Sequence, residues 1–277
     1  MVRAETYEPE TSREGVPKIH FDDVRIGFGK GGRRKEVLDG VSFDVRRGEF
    51  VSVLGPSGCG KSTLLTMAAG FASPDSGTVQ VDGVTVTGPH HDRGVVFQQY
   101  AIFPWLSVRK NIGFGLTLRA NRHSKAEIAA ATDRYIDLMG LRGFEDALPK
   151  TLSGGMRQRV AIARAYATDP SVLLMDEPFA ALDAQTREFM QELLHEANQE
   201  ERRTAMFITH SVEEAIFLSS RIVVLTGRPT RVSEVVDVPV PMPRTAASRT
   251  APEFIELRRH LEEVMRSMSS FTHGGTS

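Results

Sequence analysis

The chain has 277 residues, 40% hydrophobic and 25% charged, with a formal net charge of −1. Such a length and apolar content suit one large α/β domain carrying an inserted piece, and the near-neutral balance favours neither nucleic acid nor an anionic membrane surface as a partner. A single cysteine, Cys59, excludes an intrachain disulfide and fits a cytosolic compartment.

The opening "MVRAETYEPETSREG" lacks the apolar core of a signal peptide. Residues 1–16 are expected to form a flexible tail. No run of about 18 apolar residues occurs, so any membrane role is expected to come through a partner. "KIHFDDVRIGF" and "VLDGVSFDV" alternate apolar and polar residues, as strands of a half-exposed sheet do. "EFVSVLG" is a short apolar strand entering a glycine-rich turn, and "KSTLLTMAAG" reads as a helix ended by Gly70. "GTVQVDGVTV" has the pattern of a hairpin and "RGVVFQ" that of a buried strand. From Tyr100 to about Thr168 the texture is helical; Ser124 and Glu127 stand in capping-box spacing. "SVLLM", "AQTREFMQELLHEANQ", "TAMFIT", a helix from Ser211 and "RIVVLT" then alternate strand and helix, the mark of a wound α/β sheet. After the proline-rich "VPVPMPR", "PEFIELRRHLEEVMRSM" has the spacing of a packing helix.

Residues Gly55–Ser62, within "GPSGCGKST", fit G-x-x-x-x-G-K-[ST] between an expected strand and an expected helix, the context that motif requires. Its glycines let backbone amides converge on phosphate oxygens. Lys61 is expected to reach the β- and γ-phosphates and Ser62 to ligate Mg²⁺, with a helix N-terminus adding favourable potential. Cys59 lies in this loop near Lys61 and that helix N-terminus, which favour thiolate, so it is expected to react with thiol reagents when the loop is empty. In "VLLMDEP", Asp176 and Glu177 follow four apolar residues at a strand's carboxyl end. Asp176 is placed to serve Mg²⁺ through water, and Glu177 to orient or deprotonate an attacking water. His210 and Gln98 also end strands, where polar side chains could converge on one catalytic edge. "LSGGMRQRV" sets Ser153, Gly154 and Gly155 before another helix, a second place suited to an anion. Two such signatures imply either two nucleotides or one nucleotide shared by two chains.

"LSGG", the phosphate loop and "LLMDEP" together resemble the ATP-binding-cassette ATPases of membrane transporters, from about Ile19 to Val240 and with the motifs in the family's order. The resemblance implies an α/β P-loop NTPase cassette: a RecA-like core, an antiparallel β subdomain and an inserted α-helical subdomain at about 100–168. The ATPase domain would span 17–241, followed by a C-terminal helix and flexible tail over 242–277. Gly55, Pro56, Ser57, Gly58, Cys59, Gly60, Lys61, Ser62 and Thr63 would hold ATP. Phe28 would stack on adenine, with Phe21 a strand core residue instead. Asp176, Ser62 and Gln98 would serve Mg²⁺, Glu177 and His210 the chemistry, and Ala181–Asp183 the D-loop. Ser153, Gly154 and Gly155 would touch the ATP of a partner chain in a head-to-tail homodimer. Met156 stands where many relatives carry glutamine.

Within the family, "GPHHDRGVVFQQYAIFPWLSVRKNIGFGL" and "EEAIFLSSRIVVLTGRPTRV" are similar to importers of nitrate, alkanesulfonates and taurine. That implies two permease subunits, a solute-binding protein and a place at the cytoplasmic face of the membrane, held through the permease, with no nucleic-acid partner. The run "YAIFPWLSV", with Trp105, suits a socket for a permease helix, or else the core of the helical insertion. An importer of another solute, a soluble P-loop kinase or GTPase, a nucleotide sensor without turnover, and a soluble repair or translation cassette are the alternatives. The kinase or GTPase leaves "LSGGMRQR" unexplained, and intact Glu177 and His210 speak against the sensor.

Overall fold

The computed structural model describes residues 15–29, 34–99, 101–118 and 123–270. Most of the expected N-terminal tail, the tail 271–277 and Tyr100 lie outside them. The chain divides into two compact units, residues 1–89 with 203–277, and residues 90–202.

In the first unit, β1 (Ile19–Phe28) and β2 (Lys35–Val45) pair antiparallel. Their alternation buries one face. Phe21 is fully buried and stacks on Phe43 at 4.5 Å between ring centroids, as a strand core residue should. β3 (Phe50–Leu54) is buried along its length, and α1 (Lys61–Ala69) follows the phosphate loop. The N–H of the αL residue Gly70 closes α1 by donating to the Met67 and Thr66 carbonyls. β4 (Ser76–Val81) and β5 (Val84–Thr85) form the expected hairpin and complete an antiparallel sheet of order β2-β1-β4-β5. The returning chain adds β8 (Thr204–Thr209) and β9 (Arg221–Leu225), each parallel to β3 and fully buried. Such continuous apolar strands are what a sheet covered on both faces requires. α6 (Val212–Leu218) lies between them; Ser211 caps it, accepting from the Glu214 N–H at 3.3 Å.

Two elements extend this unit. β10 (Val232–Asp237) pairs antiparallel with β9, and α7 (Pro252–Ser270) packs its apolar face on α6 through buried Phe254, Leu257 and Leu261. Buried Arg244 anchors the link to α7. Its guanidinium donates to the carbonyls of Ile216, Phe217 (3.2 Å) and Ser219 (2.7 Å) at the end of α6, and to Val240. β10 carries no strand signal of its own in the sequence, because the alternation of "VSEVVD" is half-exposed and hemmed by prolines.

In the second unit, β6 (Arg93–Val96) runs parallel to β7 (Val172–Asp176), whose Val172–Met175 are fully buried. The helices are α2 (Val108–Gly113), α3 (Lys125–Leu138), α4 (Gly154–Ala167) and α5 (Ala184–Glu201). The helical texture expected over 100–168 becomes α2, α3 and α4, while the compact unit itself also takes in β6, β7 and α5. Ser124 and Glu127 form the capping box foreseen from their spacing. Buried Asn111 fixes the aromatic run before α2: its amide accepts from the Phe103 N–H at 2.8 Å and donates to the carbonyls of Phe103, Leu106 and Ser107. Among the described residues no helix is long and apolar enough to cross a membrane.

Candidate functional site

In the first unit, β3 delivers the chain into the loop 55–60 and α1 begins at Lys61. Gly60 has φ of 112°, a backbone that side chains rarely adopt, and a Cβ there would lie 2.9 Å from both Val37 and Leu38 of β2. Glycine is therefore needed twice, for conformation and for close seating on β2. Ser57, Gly58 and Ser62 form an exposed crest, while Lys61 is buried. Its ammonium donates to the carbonyls of Gly55 (2.7 Å) and Pro56 (3.1 Å), which holds the cation inside the curl of the loop. A fixed cation, glycine-rich backbone and the N-terminus of a nine-residue helix fit a nucleotide's phosphates, and the exposed Ser62 hydroxyl fits a hard cation such as Mg²⁺.

Cys59 departs from its expected behaviour. Its side chain is buried beside Gly55, and burial pushes its thiol up despite the opposing influence of Lys61. Burial outweighs the cationic surroundings, so the Cys59 side chain is a buried filler under the loop. Phe28 ends β1 more than half exposed. His210 follows β8 and is exposed. It borders a cavity of about 370 Å³ shared with Val212 and with Glu262, Met265 and Arg266 of α7. Sequence reasoning took α7 for packing alone; that α7 would pass His210 had no local signal.

In the second unit, Gln98 follows β6 and is exposed. Asp176 ends β7, and Glu177 has φ of 42°. A non-glycine residue in the left-handed region marks strain of the kind found at functional positions, and here it turns the chain sharply after the buried strand. Ser153 caps α4, accepting from the Met156 N–H at 3.2 Å, and its side chain is otherwise exposed. Gly155 is buried against α5: a Cβ there would stand 2.5 Å from Thr186 Cγ2. Asp183 caps α5 by accepting from the Thr186 N–H at 3.0 Å, a bond that lowers its pKa below the usual carboxylate range. Ser153–Gly155 and Ala181–Asp183 therefore meet at one packed corner through Thr186.

Trp105 is 71% exposed. Phe103 lies 5.6 Å from it, touches Phe114 at 4.5 Å, and carries the Arg164 guanidinium over its ring. A groove of about 380 Å³ opens beside this cluster, floored by Leu106, Phe114 and Ile128 and rimmed by Arg109, Lys110 and Lys125. The described part of the run is thus half-buried to exposed, and only Val108 at its end enters the core.

A phosphate loop, a strained carboxylate after a buried strand and a serine-glycine helix start define a P-loop ATPase of the cassette class. The ABC transporter family profile matches residues 38–180, and the chain belongs to that family. Relatives agree over nearly the full length. A Brucella abortus (biovar 1, strain 9-941) chain, provisionally named an ATP-binding protein, is 52% identical over 88% of this chain and 92% of its own length. The aliphatic sulfonates import ATP-binding protein of Bacillus cereus (strain ATCC 10987 / NRS 248) is 40% identical over 93% and 97%. A solved dimeric ATP-binding cassette in a post-hydrolysis state with ADP and Pi superposes with a TM-score of 0.69 at 31% identity, covering 79% of this chain and 98% of that one. The protein is an ABC transporter ATP-binding subunit, an ATPase that works with ATP and Mg²⁺.

Proposed function

We propose that the chain energises an importer of small anionic solutes, with aliphatic sulfonates the first candidates and nitrate or taurine-like solutes the next. The observation that carries the solute class is the similarity to the Bacillus cereus sulfonate importer subunit across nearly both chains. In this reading the loop Gly55–Thr63 holds the phosphates, Lys61 neutralising the β- and γ-groups, and Phe28 stacks on adenine. Ser62, Asp176 and Gln98 serve the Mg²⁺ that offsets phosphate charge. Glu177 takes the proton of the attacking water, and His210 steadies the γ-phosphate. Ser153, Gly154 and Gly155 address the nucleotide of a second copy in a head-to-tail dimer; the dimeric cassette of similar fold supports that arrangement.

The groove rimmed by Arg109, Lys110 and Lys125, with exposed Trp105 beside it, suits a cytoplasmic helix of a permease. Two permease subunits and a solute-binding protein complete the assembly, and the permease holds this subunit at the cytoplasmic face of the membrane. The test is uptake of labelled alkanesulfonate, taurine and nitrate by cells lacking this chain, complemented with the parent or with Glu177→Gln. The parent restores uptake of one of these solutes and the variant does not. Uptake of all three that is indifferent to loss of the chain defeats the proposal.

A further inference from the structure

A segment far along the chain from the phosphate loop grips it. After β9 the chain makes the turn Thr226–Arg231, closed on itself by the Thr226 N–H donating to the Arg231 carbonyl and the Arg231 N–H to Thr226 Oγ1, both at 2.9 Å. The turn is tied to β2. The Thr230 N–H donates to the Val37 carbonyl at 2.8 Å, the Asp39 N–H donates to the Thr230 carbonyl at 2.9 Å, and Arg231 Nε donates to Asp39 Oδ2 at 2.9 Å. The Thr230 side chain is fully buried, and its hydroxyl donates to the carbonyl of Cys59, 171 residues away. Val37 and Leu38, which flank the Thr230 attachment, are the residues that seat Gly60.

That one hydrogen bond has a directional consequence. The Cys59–Gly60 peptide is trans, so its C=O and N–H point in opposite directions. With the carbonyl held on Thr230, the Gly60 N–H must face away from the strap. Gly60, with φ of 112°, has no side chain to restrict rotation of the peptide before it. The loop peptide is therefore free to flip unless something outside the loop holds it.

We propose that Thr230 is a positioning residue for the phosphate loop: its hydroxyl fixes the Cys59–Gly60 peptide so that the Gly60 N–H is aimed at nucleotide phosphate before nucleotide arrives. The Arg231–Asp39 ion pair and the β2 bonds hold Thr230 in place. This rests on the nucleotide-binding role of the loop, and it assigns no chemistry to Thr230 itself. An unaimed amide costs binding because the loop must be ordered at the moment of association.

The experiment compares parent, Thr230→Val, Thr230→Ser and Arg231→Ala as full-length chains. Valine keeps shape and burial but cannot donate; serine restores the donor. Equilibrium titration with Mg-ATP, and competition by inorganic tripolyphosphate, which has no base, read the loop directly. Thr230→Val is expected to weaken both ligands by roughly tenfold, the size of one well-placed hydrogen bond. It should raise KM for ATP and leave kcat within about twofold, and Thr230→Ser should recover parental values. Arg231→Ala, at an exposed side chain, should weaken both ligands by a smaller factor. Parental affinity in Thr230→Val overturns the proposal, as does failure of serine to rescue or a loss confined to kcat. Should Thr230→Val not fold, Arg231→Ala decides alone, and parental affinity for tripolyphosphate there overturns it. Failure of all four chains, parent included, to bind Mg-ATP would instead refute the nucleotide site.

Discussion

Gly155→Ala tests the corner where the helix start at Ser153 meets the segment before α5. The added Cβ would lie 2.5 Å from Thr186 Cγ2, about 0.9 Å short of ordinary contact. Thr186 is β-branched and stands in the first turn of α5, with its N–H bonded to the Asp183 carboxylate. It has little freedom to turn aside, so α4 and α5 must separate. Overpacking of this kind destabilises by about 1–3 kcal/mol. Alanine's better helix propensity offsets up to about 1 kcal/mol of that. The net expectation is a loss of about 1–2 kcal/mol, or roughly 2–8 °C in Tm for a chain of this size. Thr186→Ser removes the clashing methyl and keeps the backbone bond, and the next nearest Thr186 atom, its Cβ, would be 3.9 Å from the new Cβ. The double variant should recover most of the loss, a coupling of about 1 kcal/mol in a double-mutant cycle. Thermal and urea unfolding of the four chains measure it. A stable Gly155→Ala, or a double variant as unstable as the single one, would refute the reasoning.

Arg244→Leu strips donors from the buried carbonyls of Ile216, Phe217, Ser219 and Val240 and should destabilise by about 2–4 kcal/mol; unfolding within about 0.5 kcal/mol of the parent would show that those carbonyls find other donors. Cys59 should react with a disulfide reagent at a rate set by opening of the fold, equally slowly with and without Mg-ATP, because burial and not the nucleotide shields it; rapid labelling of the nucleotide-free chain would contradict its burial. Arg231 and then Arg25 hold Asp39 below the usual carboxylate range, so its contribution to stability is complete above about pH 3.9 and fades as pH falls below that. The stability gap between parent and Asp39→Asn should therefore be wide at pH 7 and close in acid. A gap that does not change with pH would rule out the charge as its source.

The elements most legible in the sequence are those whose local pattern has one physical solution. A strand as apolar as "VLLM" can only be covered on both faces, and β7 is; Ser124 with Glu127 specifies a capped helix start, and α3 begins there. The phosphate loop was readable because its chemistry is mostly backbone geometry, which glycine positions reveal. Cys59 departs from its motif's expectation for a related reason. Motif spacing places a residue along the chain, but whether its side chain faces the phosphates or the interior is decided by tertiary packing, which buries Cys59 beside Gly55. β10 and the course of α7 past His210 were illegible because each is decided by long-range pairing, not by its own composition.

The same distinction explains why two motifs can be named separately in the sequence and yet behave as one object. Ser153–Gly155 and Asp183 each look like an isolated helix start with its own cap. In the folded chain the absence of a side chain at Gly155 admits Thr186, and Thr186 is the residue whose N–H satisfies Asp183. A displacement of α4's first turn must therefore disturb the Asp183 cap, and loosening that cap must release the wall against which Gly155 rests. Packed groups at contact distance shift together because neither has free volume to absorb the other's motion. If Ser153 addresses the nucleotide of a second copy, whatever moves Ser153 also moves the segment Ala181–Asp183, and the coupling needs no intermediary beyond one threonine methyl.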